Sequence, residues 1–387
     1  MKLLKFTDKL LPISDLKIIF GLFLLWKITL FFILIFSLNF VNLAGRNFLG
    51  GGFENYISNP WLFAWANFDG EHYLSIAQIG YRGLEQAFFP VYPILLNVLT
   101  KPFDNSSTSV VSIGLLISNF SFLFSLIILY KLIILDFPKK IAYLTIICLL
   151  IFPTSFYFGV VYSESLFLLL SLLSFYAARK NKWFWASFFG IIASVTRIFG
   201  VLLLPALFLE AWQQKKSFRK YFWIFAIPLG LFAYMYYQWI TVGDPLAFYH
   251  LQKIVGPQHE SGITPLPQVY FRYIKMLLTT EISNPIYQTI ILEFFVGVAF
   301  FLLPIYGYFK KIRLSYLFFA LIGFLLPTIQ GSFSSVPRYI IVFFPSFLSL
   351  AVFVKSLPLF VRVIVLVLFY VWLMFETAHF FRGYWVA

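Results

Sequence analysis

The sequence predicts an all-α polytopic membrane protein, and three observations support that fold class. Hydrophobic residues make up 61% of the 387 residues, and charged residues only 11%. Several apolar runs reach the roughly 20 residues that a helix needs to cross the hydrocarbon core of a bilayer. The alternating segments of about 10 residues that mark a membrane β-barrel are missing. We therefore expect one integral membrane domain over residues 1–387.

The basic charge balance is explained by membrane topology. Lysine and arginine total 29 against 15 acidic residues, and most of these cations lie in short segments between apolar runs. Cytoplasmic loops of membrane proteins carry such an excess, so we expect membrane lipids as partners and no nucleic acid. The single cysteine, Cys148, lies inside an apolar run. It excludes a disulfide framework and a cysteine metal cluster.

The first apolar run, residues 18–41, follows four lysines and is too long for a secretory signal. We expect it to be the first span, entering from the cytoplasm. The first external loop then covers about residues 42–108. Within it, the apolar piece 88–100 is too short to cross a bilayer, so we expect a re-entrant or juxtamembrane helix there.

The middle of the chain predicts a span, a hairpin and a broken helix. Residues 110–134 form the span, and 141–158 with 163–175 form the hairpin, whose external tip holds Glu164. The next apolar stretch, 183–212, has cations at both ends. One continuous span cannot satisfy the positive-inside rule at both ends, so we expect a break at SVTRIFG, residues 194–200.

The remaining third predicts further spans around a second large external loop, about residues 241–286. A short external loop before the last two spans carries Arg338. We count about nine full crossings plus one hairpin, with the amino end inside and the carboxyl end outside. The predicted spans of this part are 222–240, 290–308, 314–330, 340–354 and 363–381.

The stretch FDGEHYLSIAQIGYRGLEQAFFPVYP, residues 68–93, collects acids, a histidine and aromatics between apolar segments. Its apolar spacing predicts a short amphipathic helix with Asp69 as N-cap and Gly80 at the C-terminal end. In a helix, Asp69 and His72 face the same way and Glu71 points elsewhere. If the first residues are extended instead, Asp69 and Glu71 share a side.

In this topology, the strong polar groups lie on one face of the membrane. An enzyme that acts on a lipid-linked substrate at the outer face needs a base, a cation for a phosphate and an apolar groove. The loops supply the base and the cation. The candidate residues are Asp69, Glu71, His72, Tyr81, Arg82, Glu164, Lys253 and Arg338.

Other roles for these residues remain open from spacing alone. Asp69 could be a plain helix cap, and His72 an interfacial histidine without a catalytic role. The acids with His72 could hold a divalent cation, although the spacing D-x-E-H is not diagnostic. Arg338 could extend to lipid headgroups.

Arg197, Glu293 and Glu376 fall within apolar stretches, where a charge is costly unless it is paired or hydrated. Arg197 lies midway along the stretch that we expect to break, so we expect a structural or functional partner for it. Glu293 and Glu376 lie within predicted spans and have no evident partner in the sequence.

Five blocks of this sequence resemble the PIG-V family, which comprises GPI mannosyltransferase 2 and its bacterial relatives within the GT-C superfamily. Phe68 stands where tryptophan is more usual, and Ile198 where proline is common. The blocks run in order over most of the chain. They are FDGEHYLSIAQIGY, AFFPVYP, FPTSFYFGVVYSESLFLLLSLLSFYAARKNKW, SVTRIFGVLLLP and VPRYIIVFFP.

The resemblance implies a GT-C-like bundle of about 9–11 transmembrane helices with a catalytic first external loop. It implies inverting transfer of a hexose, mannose in the named eukaryotic members, from a polyprenyl-phosphate sugar to a lipid or glycan acceptor. The reaction would take place on the non-cytoplasmic face, in a bacterial plasma membrane. No cofactor or bound metal is implied.

The resemblance also implies roles for residues. Asp69 corresponds by position to the catalytic acid of the first external loop, and it would remove a proton from the acceptor hydroxyl. Arg338 would stabilise the departing lipid phosphate, with Arg82 or Lys253 as alternatives. Glu71 and His72 would orient the acceptor or the loop. Tyr81, Glu164 and Arg197 are further candidates for substrate binding.

Two other classes of protein compete with this interpretation. A transporter or flippase of lipid-linked sugars would also be basic, polytopic and aromatic, and Arg197, Glu293 and Glu376 fit it. Such a protein should have internal repeats and paired charges near the midplane of the bilayer. A non-catalytic partner in a membrane complex would not need Asp69.

Overall fold

The structure, a computed structural model, describes residues 11–251, 264–284 and 286–386. These residues form α-helices joined by short 3-10 turns, and no strand occurs among them. The all-α fold class is therefore confirmed. The helices are α1 (Ile13–Phe40), α2 (Phe53–Ser58), α3 (Pro60–Phe63), α4 (Asp69–Ile79), α5 (Val91–Thr100), α6 (Ser107–Ile133), α7 (Lys139–Leu150), α8 (Glu164–Arg179), α9 (Trp183–Thr196), α10 (Leu203–Gln213), α11 (Phe218–Tyr221), α12 (Leu229–Val242), α13 (Ala247–His250), α14 (Leu266–Thr279), α15 (Ile286–Phe309), α16 (Leu314–Thr328), α17 (Val336–Tyr339), α18 (Phe344–Ser356) and α19 (Leu359–Phe381).

Four of the described helices, α1, α6, α15 and α19, are long and apolar enough to cross a membrane. A fifth candidate arises if Val336–Val342 and α18 count as one span, although the two are bent by 88°. Such helices fit an integral membrane protein. The prediction of about nine crossings stays a prediction, because the other predicted spans hold helices of 12–16 residues.

Helix α8 lies at the centre of the bundle and packs against α6 and α9. Small residues line its buried faces, among them Ser171, Ser174 and Ala178. Small side chains let membrane helices approach closely. The Ser174 hydroxyl also donates to the backbone carbonyl of Ala186 on α9, at 2.7 Å. The first residue of this central helix is Glu164, so the packing of α8 fixes a charged group inside the bundle.

The connection between α7 and α8, which the sequence predicts as the external tip of a hairpin, is buried within the bundle. Residues 152–165 are all buried. Their aromatic side chains pack in the core, and hydroxyl groups satisfy backbone carbonyls that water cannot reach. Ser165 donates to the Phe158 carbonyl at 2.6 Å, and Thr154 donates to the Pro337 carbonyl at 2.7 Å. The second bond ties this connection to the segment that carries Arg338.

The predicted break at residues 194–200 is confirmed. Helix α9 ends at Thr196, Arg197 is extended with φ −153° and ψ 148°, and a 3-10 turn at Ile198–Leu202 leads into α10. Gly200 makes this turn possible, because a Cβ atom there would overlap the backbone of α9. The extended residue directs the Arg197 side chain into the bundle.

A second bend brings Arg338 inside. Ser335 has a φ of 60°, and the short helix α17 follows it. A 3-10 turn then leads into α18 at the 88° bend. The sequence placed Arg338 at the mouth of a span, within reach of lipid headgroups, but the structure buries its side chain. The bend, which the apolar run alone does not indicate, explains this difference.

We expect Gly200→Ala to destabilise the protein. The added methyl group must displace the backbone of Ala193 and Ser194, and overpacking of this kind costs about 1–3 kcal/mol. The melting temperature in detergent measures the effect. Gly21→Ala is the matched control, because a Cβ atom at Gly21 in α1 meets nothing within 4 Å. Equal melting temperatures for the two variants would contradict the role of Gly200.

Candidate active site

An ion pair between two distant parts of the chain lies at the centre of the candidate site. Arg338 Nη1 is 2.7 Å from Asp69 Oδ2. Asp69 is the first residue of α4, and Arg338 belongs to α17. The Arg338 side chain is 8% exposed and that of Asp69 is 23% exposed. The guanidinium is therefore enclosed, while the carboxylate stays accessible from one side.

The prediction that Asp69 is the N-cap of α4 is wrong by one residue. The N-cap is Phe68, with a left-handed φ of 56°, and the helix has no side-chain cap. The Asp69 carboxylate pairs with Arg338 instead, because a buried guanidinium requires a counter-charge. The predicted end of the helix at Gly80 is confirmed, with a φ of 82°.

The backbone around Asp69 is fixed by a tyrosine of the buried connection. The Tyr162 hydroxyl accepts a hydrogen bond from the Asp69 amide at 3.1 Å and donates one to the Asn67 carbonyl at 2.9 Å. The next residue is Gly70, where a Cβ atom would lie 3.2 Å from the Ala66 methyl group. Tyr162 and the tight packing at Gly70 therefore hold the start of α4 against the core.

A second ion pair, between Arg197 and Glu164, lies next to the first and contacts Arg338. Arg197 Nη1 lies 2.6 Å from Glu164 Oε1, and the same oxygen lies 3.6 Å from Arg338 Nε. The carboxylates of Asp69 and Glu164 thus face the guanidinium groups of Arg338 and Arg197. Glu164 is almost fully buried, and a buried carboxylate is costly unless it is paired. The partner that the sequence requires for Arg197 is Glu164.

Tyrosine rings surround the Arg338 guanidinium. Its Cζ atom lies 5.8, 5.7 and 5.0 Å from the ring centres of Tyr157, Tyr162 and Tyr339. Aromatic faces attract cations at such distances. Among the described residues, Arg338 Nε has no hydrogen-bond acceptor. The guanidinium is therefore held in place while its Nε–H group makes no hydrogen bond to the described residues.

A cavity of about 880 Å³ opens beside the ion pairs. This volume falls within the usual range for ligand sites, roughly 300–1,000 Å³. Apolar atoms make up most of its wall surface, and polar side chains from several elements are set among them. The polar lining residues are Asp69, His72, Tyr73, Ser163, Thr196, Arg197, Tyr249, Arg272, Tyr273, Thr289, Glu293, Gln330, Ser332, Ser334, Ser335, Arg338 and Tyr339.

His72 and Glu71 point in different directions, as the helical alternative predicts. His72 lines the cavity with Asp69, and its ring centre lies 4.8 Å from that of Phe88. Glu71 turns to the preceding loop, where its Oε1 accepts from the Gly52 amide at 2.9 Å. Burial raises the pKa of Glu71 from 4.5 to about 7, partly offset by that hydrogen bond.

Three other candidates lie away from the ion pairs. Arg82 is exposed, and the lining of the cavity does not include it. Tyr81 donates to the Phe88 carbonyl at 2.9 Å and packs against tyrosines of α12 rather than lining the cavity. Lys253 lies outside the described residues.

The two acids without an evident partner in the sequence both have one in the structure. Tyr273 donates to Glu293 at 2.6 Å, and Trp372 donates to Glu376 at 2.7 Å. Glu293 lines the cavity, whereas the lining does not include Glu376.

Sequence reasoning assigned no role to the tyrosines of the site. Tyr73 contacts Ser163 at 2.9 Å, and Arg197 donates to the same serine at 3.2 Å. Tyr73 and Ser163, together with Tyr157 and Tyr162, form the aromatic and hydroxyl lining of the ion pairs. The spacing of tyrosines and serines in FYFGVVYSES is the signal that could have identified Tyr157, Tyr162 and Ser163.

The described residues contain no group of three or more His, Cys, Asp or Glu side chains that could hold a metal ion. Asp69 and Glu164 are directed at arginines instead. The chemistry of the described site is that of a carboxylate and fixed guanidinium groups beside an apolar cavity.

Fold and site define an integral membrane protein in which an accessible acid is paired with a buried arginine in one cavity. The family model of mannosyltransferases (PIG-V) matches residues 17–236, more than half of the chain. The chain belongs to this mannosyltransferase (PIG-V) family, as its sequence blocks indicate. No curated protein matches it.

Three crystal structures of the Archaeoglobus fulgidus oligosaccharyltransferase resemble the chain. The complex with Zn and sulfate has 14% identity and a TM-score of 0.44, covering 92% of this chain and 53% of that one. The form tethered to an acceptor peptide has 13% identity and a TM-score of 0.43, and the match covers 93% of this chain and 55% of that one. The apo form has 13% identity and a TM-score of 0.44, and the match covers 94% of this chain and 56% of that one. The chain spans about half the length of these structures.

We expect Glu71→Gln to remove a pH-dependent loss of stability. The pKa of Glu71, about 7 in the fold against 4.5 ordinarily, means that the folded protein binds the proton more tightly than the unfolded chain. Stability is therefore fully present below about pH 4.5 and falls as the pH rises to about 7. Glutamine is neutral throughout and still offers an acceptor to Gly52.

Melting temperatures between about pH 4 and pH 8 measure this effect. The variant should match the wild type at the acid end and exceed it at the alkaline end. Glu54→Gln is the matched control, since Glu54 is an exposed acid of the same loop. A constant difference between the Glu71 variant and the wild type at all pH values would contradict the raised pKa.

Proposed function

We propose that this protein transfers a hexose, specifically mannose, from a polyprenyl-phosphate sugar to a hydroxyl group of a lipid or glycan acceptor. The observation on which the proposal rests is the Asp69–Arg338 pair, 2.7 Å long, beside a cavity with mainly apolar walls. Family membership supports the sugar, and the pairing of an acid with a buried cation supports a phosphate leaving group.

Asp69 is the general base of the proposed reaction. An aspartate is ionised near neutral pH, and this one lines the cavity. Its carboxylate removes the proton of the acceptor hydroxyl while that oxygen attacks the anomeric carbon. The bond from the anomeric carbon to the phosphate oxygen breaks on the opposite side, so the configuration of the sugar is inverted.

Arg338 binds the lipid phosphate in this proposal. Without a substrate, its guanidinium is paired with Asp69, and its Nε has no acceptor among the described residues. A phosphate accepts charge-assisted hydrogen bonds from a guanidinium in a bidentate manner. A phosphate on Arg338 therefore competes with Asp69 and releases the carboxylate for the acceptor. Donor binding would thus activate the base.

Glu164 and Arg197 hold the Arg338 side chain in position. Glu164 is nearly fully buried and contacts both arginines, so it holds Arg338 when Asp69 is released. Fixed charges that need no reorganisation are the usual source of stabilisation for a developing negative charge. His72, on the same face of α4 as Asp69, orients the acceptor. Glu71 positions the loop through Gly52.

The proposed location is the non-cytoplasmic face of a bacterial plasma membrane. Asp69 belongs to the loop that follows the first span, and four lysines precede that span, against one arginine, Arg46, just after it. The positive-inside rule then assigns the loop to the outside. Polyprenyl chains are apolar, so the bilayer can supply the donor to the cavity from the side.

We expect Asp69→Asn to abolish transfer but not donor binding. Loss of a general base lowers the rate by about 10²–10⁴-fold. The amide no longer competes as a charge for Arg338, so bare polyprenyl phosphate should bind at least as tightly as to the wild type. Purified protein in nanodiscs, tested with a panel of polyprenyl-phosphate hexoses, measures both quantities and identifies the donor.

Glu54→Gln is the matched control for this experiment, because it makes the same chemical change at an exposed position of the same loop. It should leave both transfer and binding unchanged. Full transfer activity in a well-folded Asp69→Asn variant would rule out Asp69 as the base. Absence of turnover with every donor in the wild type, together with translocation of one of them, would favour a transporter.

A further inference from the structure

The cavity has a second polar wall, separate from the ion pairs. It is formed by α14, α15 and the loop before α17. Glu293 of α15 accepts from the Tyr273 hydroxyl of α14 at 2.6 Å. The same hydroxyl oxygen accepts from the Phe333 amide at 3.1 Å and lies 3.2 Å from Ser332 Oγ. Three separate elements therefore meet at the Tyr273 hydroxyl, which donates to the Glu293 carboxylate.

Burial of an acid at the position of Glu293 costs free energy. It is 4% exposed and follows the start of the candidate span Ile286–Phe309 by seven residues, which is about 10 Å along the helix. Ionisable residues inside membrane helices commonly mark substrate paths. Glu293 lines the cavity, so its carboxylate is positioned to contact a ligand.

An aromatic side chain connects this wall to the catalytic helix. Trp385 lines the cavity, and its ring centre lies 5.7 Å from that of Phe68, the residue before Asp69. The Trp385 carbonyl accepts from the Thr289 hydroxyl at 3.2 Å. Thr289 lies one helical turn before Glu293. The indole therefore packs against the residue before Asp69, and the Trp385 backbone contacts the helix that carries Glu293.

We propose that Glu293, Tyr273, Ser332 and Trp385 form a subsite for a pyranose ring. The carboxylate accepts hydrogen bonds from sugar hydroxyls, the serine and tyrosine hydroxyls complete the polar contacts, and the indole covers an apolar face of the ring. The assignment of this ring to a substrate of the transfer reaction rests on the proposed function.

The two ends of the cavity differ in their polar groups. Arg197 and Arg338 lie with Asp69 and Glu164 at one end, where the Arg338 Nε has no acceptor among the described residues. At the other end, Glu293 offers an acceptor to neutral hydroxyl groups, and Arg272, which also lines the cavity there, donates to the Gly331 carbonyl at 3.1 Å. We therefore assign the anionic part of a substrate to Arg338 and its hydroxyl-rich part to Glu293. The ring could belong to the donor or to the acceptor.

This arrangement should also determine selectivity between sugars. A site with a buried hydrogen-bonding group strongly rejects an analogue that lacks the matching hydroxyl, because the group is then left unpaired. Mannose derivatives with one hydroxyl removed should bind about tenfold more weakly or worse when the missing group is the partner of Glu293.

Saturation-transfer NMR of the full-length protein in nanodiscs tests the subsite with methyl α-D-mannopyranoside as the probe. We expect binding to the wild type and an affinity at least about tenfold lower for Glu293→Gln. Tyr273→Phe, which keeps the ring and removes only the hydroxyl, should weaken binding in the same direction. This second variant keeps the test informative if the first one folds poorly.

Glu376→Gln is the matched control. Glu376 is also a buried acid of a candidate span with an aromatic donor, Trp372, but the lining of the cavity does not include it. It should bind the probe like the wild type. Equal binding by wild type and Glu293→Gln, or no binding of the probe by the wild type, would overturn the subsite.

Two further measurements identify the source of the ring. If it belongs to the donor, polyprenyl-phosphate mannose binds more tightly than bare polyprenyl phosphate, and Glu293→Gln loses this difference. If it belongs to the acceptor, the difference stays and the KM for the acceptor rises. The monosaccharide measurement needs no transfer. Probe binding without turnover of any lipid-linked donor would therefore refute the proposed function while retaining the subsite.

Discussion

The buried guanidinium of Arg338 is the group on which the rest of the site depends. A cation cannot be enclosed in a membrane protein without counter-charges, and Asp69 and Glu164 provide them. Glu164 in turn requires Arg197. Two acids and two bases therefore balance within the bundle. Several local features exist to bring these four side chains together, namely the break after α9, the bend before α18 and the buried connection between α7 and α8.

Much of this could be predicted from the sequence, because hydropathy and glycine positions are local signals. The apolar runs predicted the all-helical fold, and cations at both ends of one run predicted the break beside Arg197. Gly80 marked the end of the helix that begins at Asp69. Family blocks in the first loop indicated Asp69 as the important acid. Each of these signals lies within one continuous segment of the chain.

The pairing of the charges could not be predicted, because it depends on how distant segments pack. Glu164 begins α8 whereas Arg197 follows the end of α9, and Arg338 is enclosed because α17 bends back into the bundle. For the same reason, Asp69 looked like a helix cap from its neighbours alone. Tyr162 was overlooked, since the spacing of tyrosines and serines around it can mark a polar site but does not indicate that this hydroxyl holds the backbone of another loop.

Asp69 and Arg338 are separated by 269 positions in the chain, and this separation has a consequence for biosynthesis. A membrane protein is inserted as it is synthesised, so the amino-terminal loop reaches its place long before the arginine has been made. The acid therefore spends this period without the partner that later encloses it. The complete charge balance forms only when α17 docks, and assembly of the active cavity is thus one of the last events of folding.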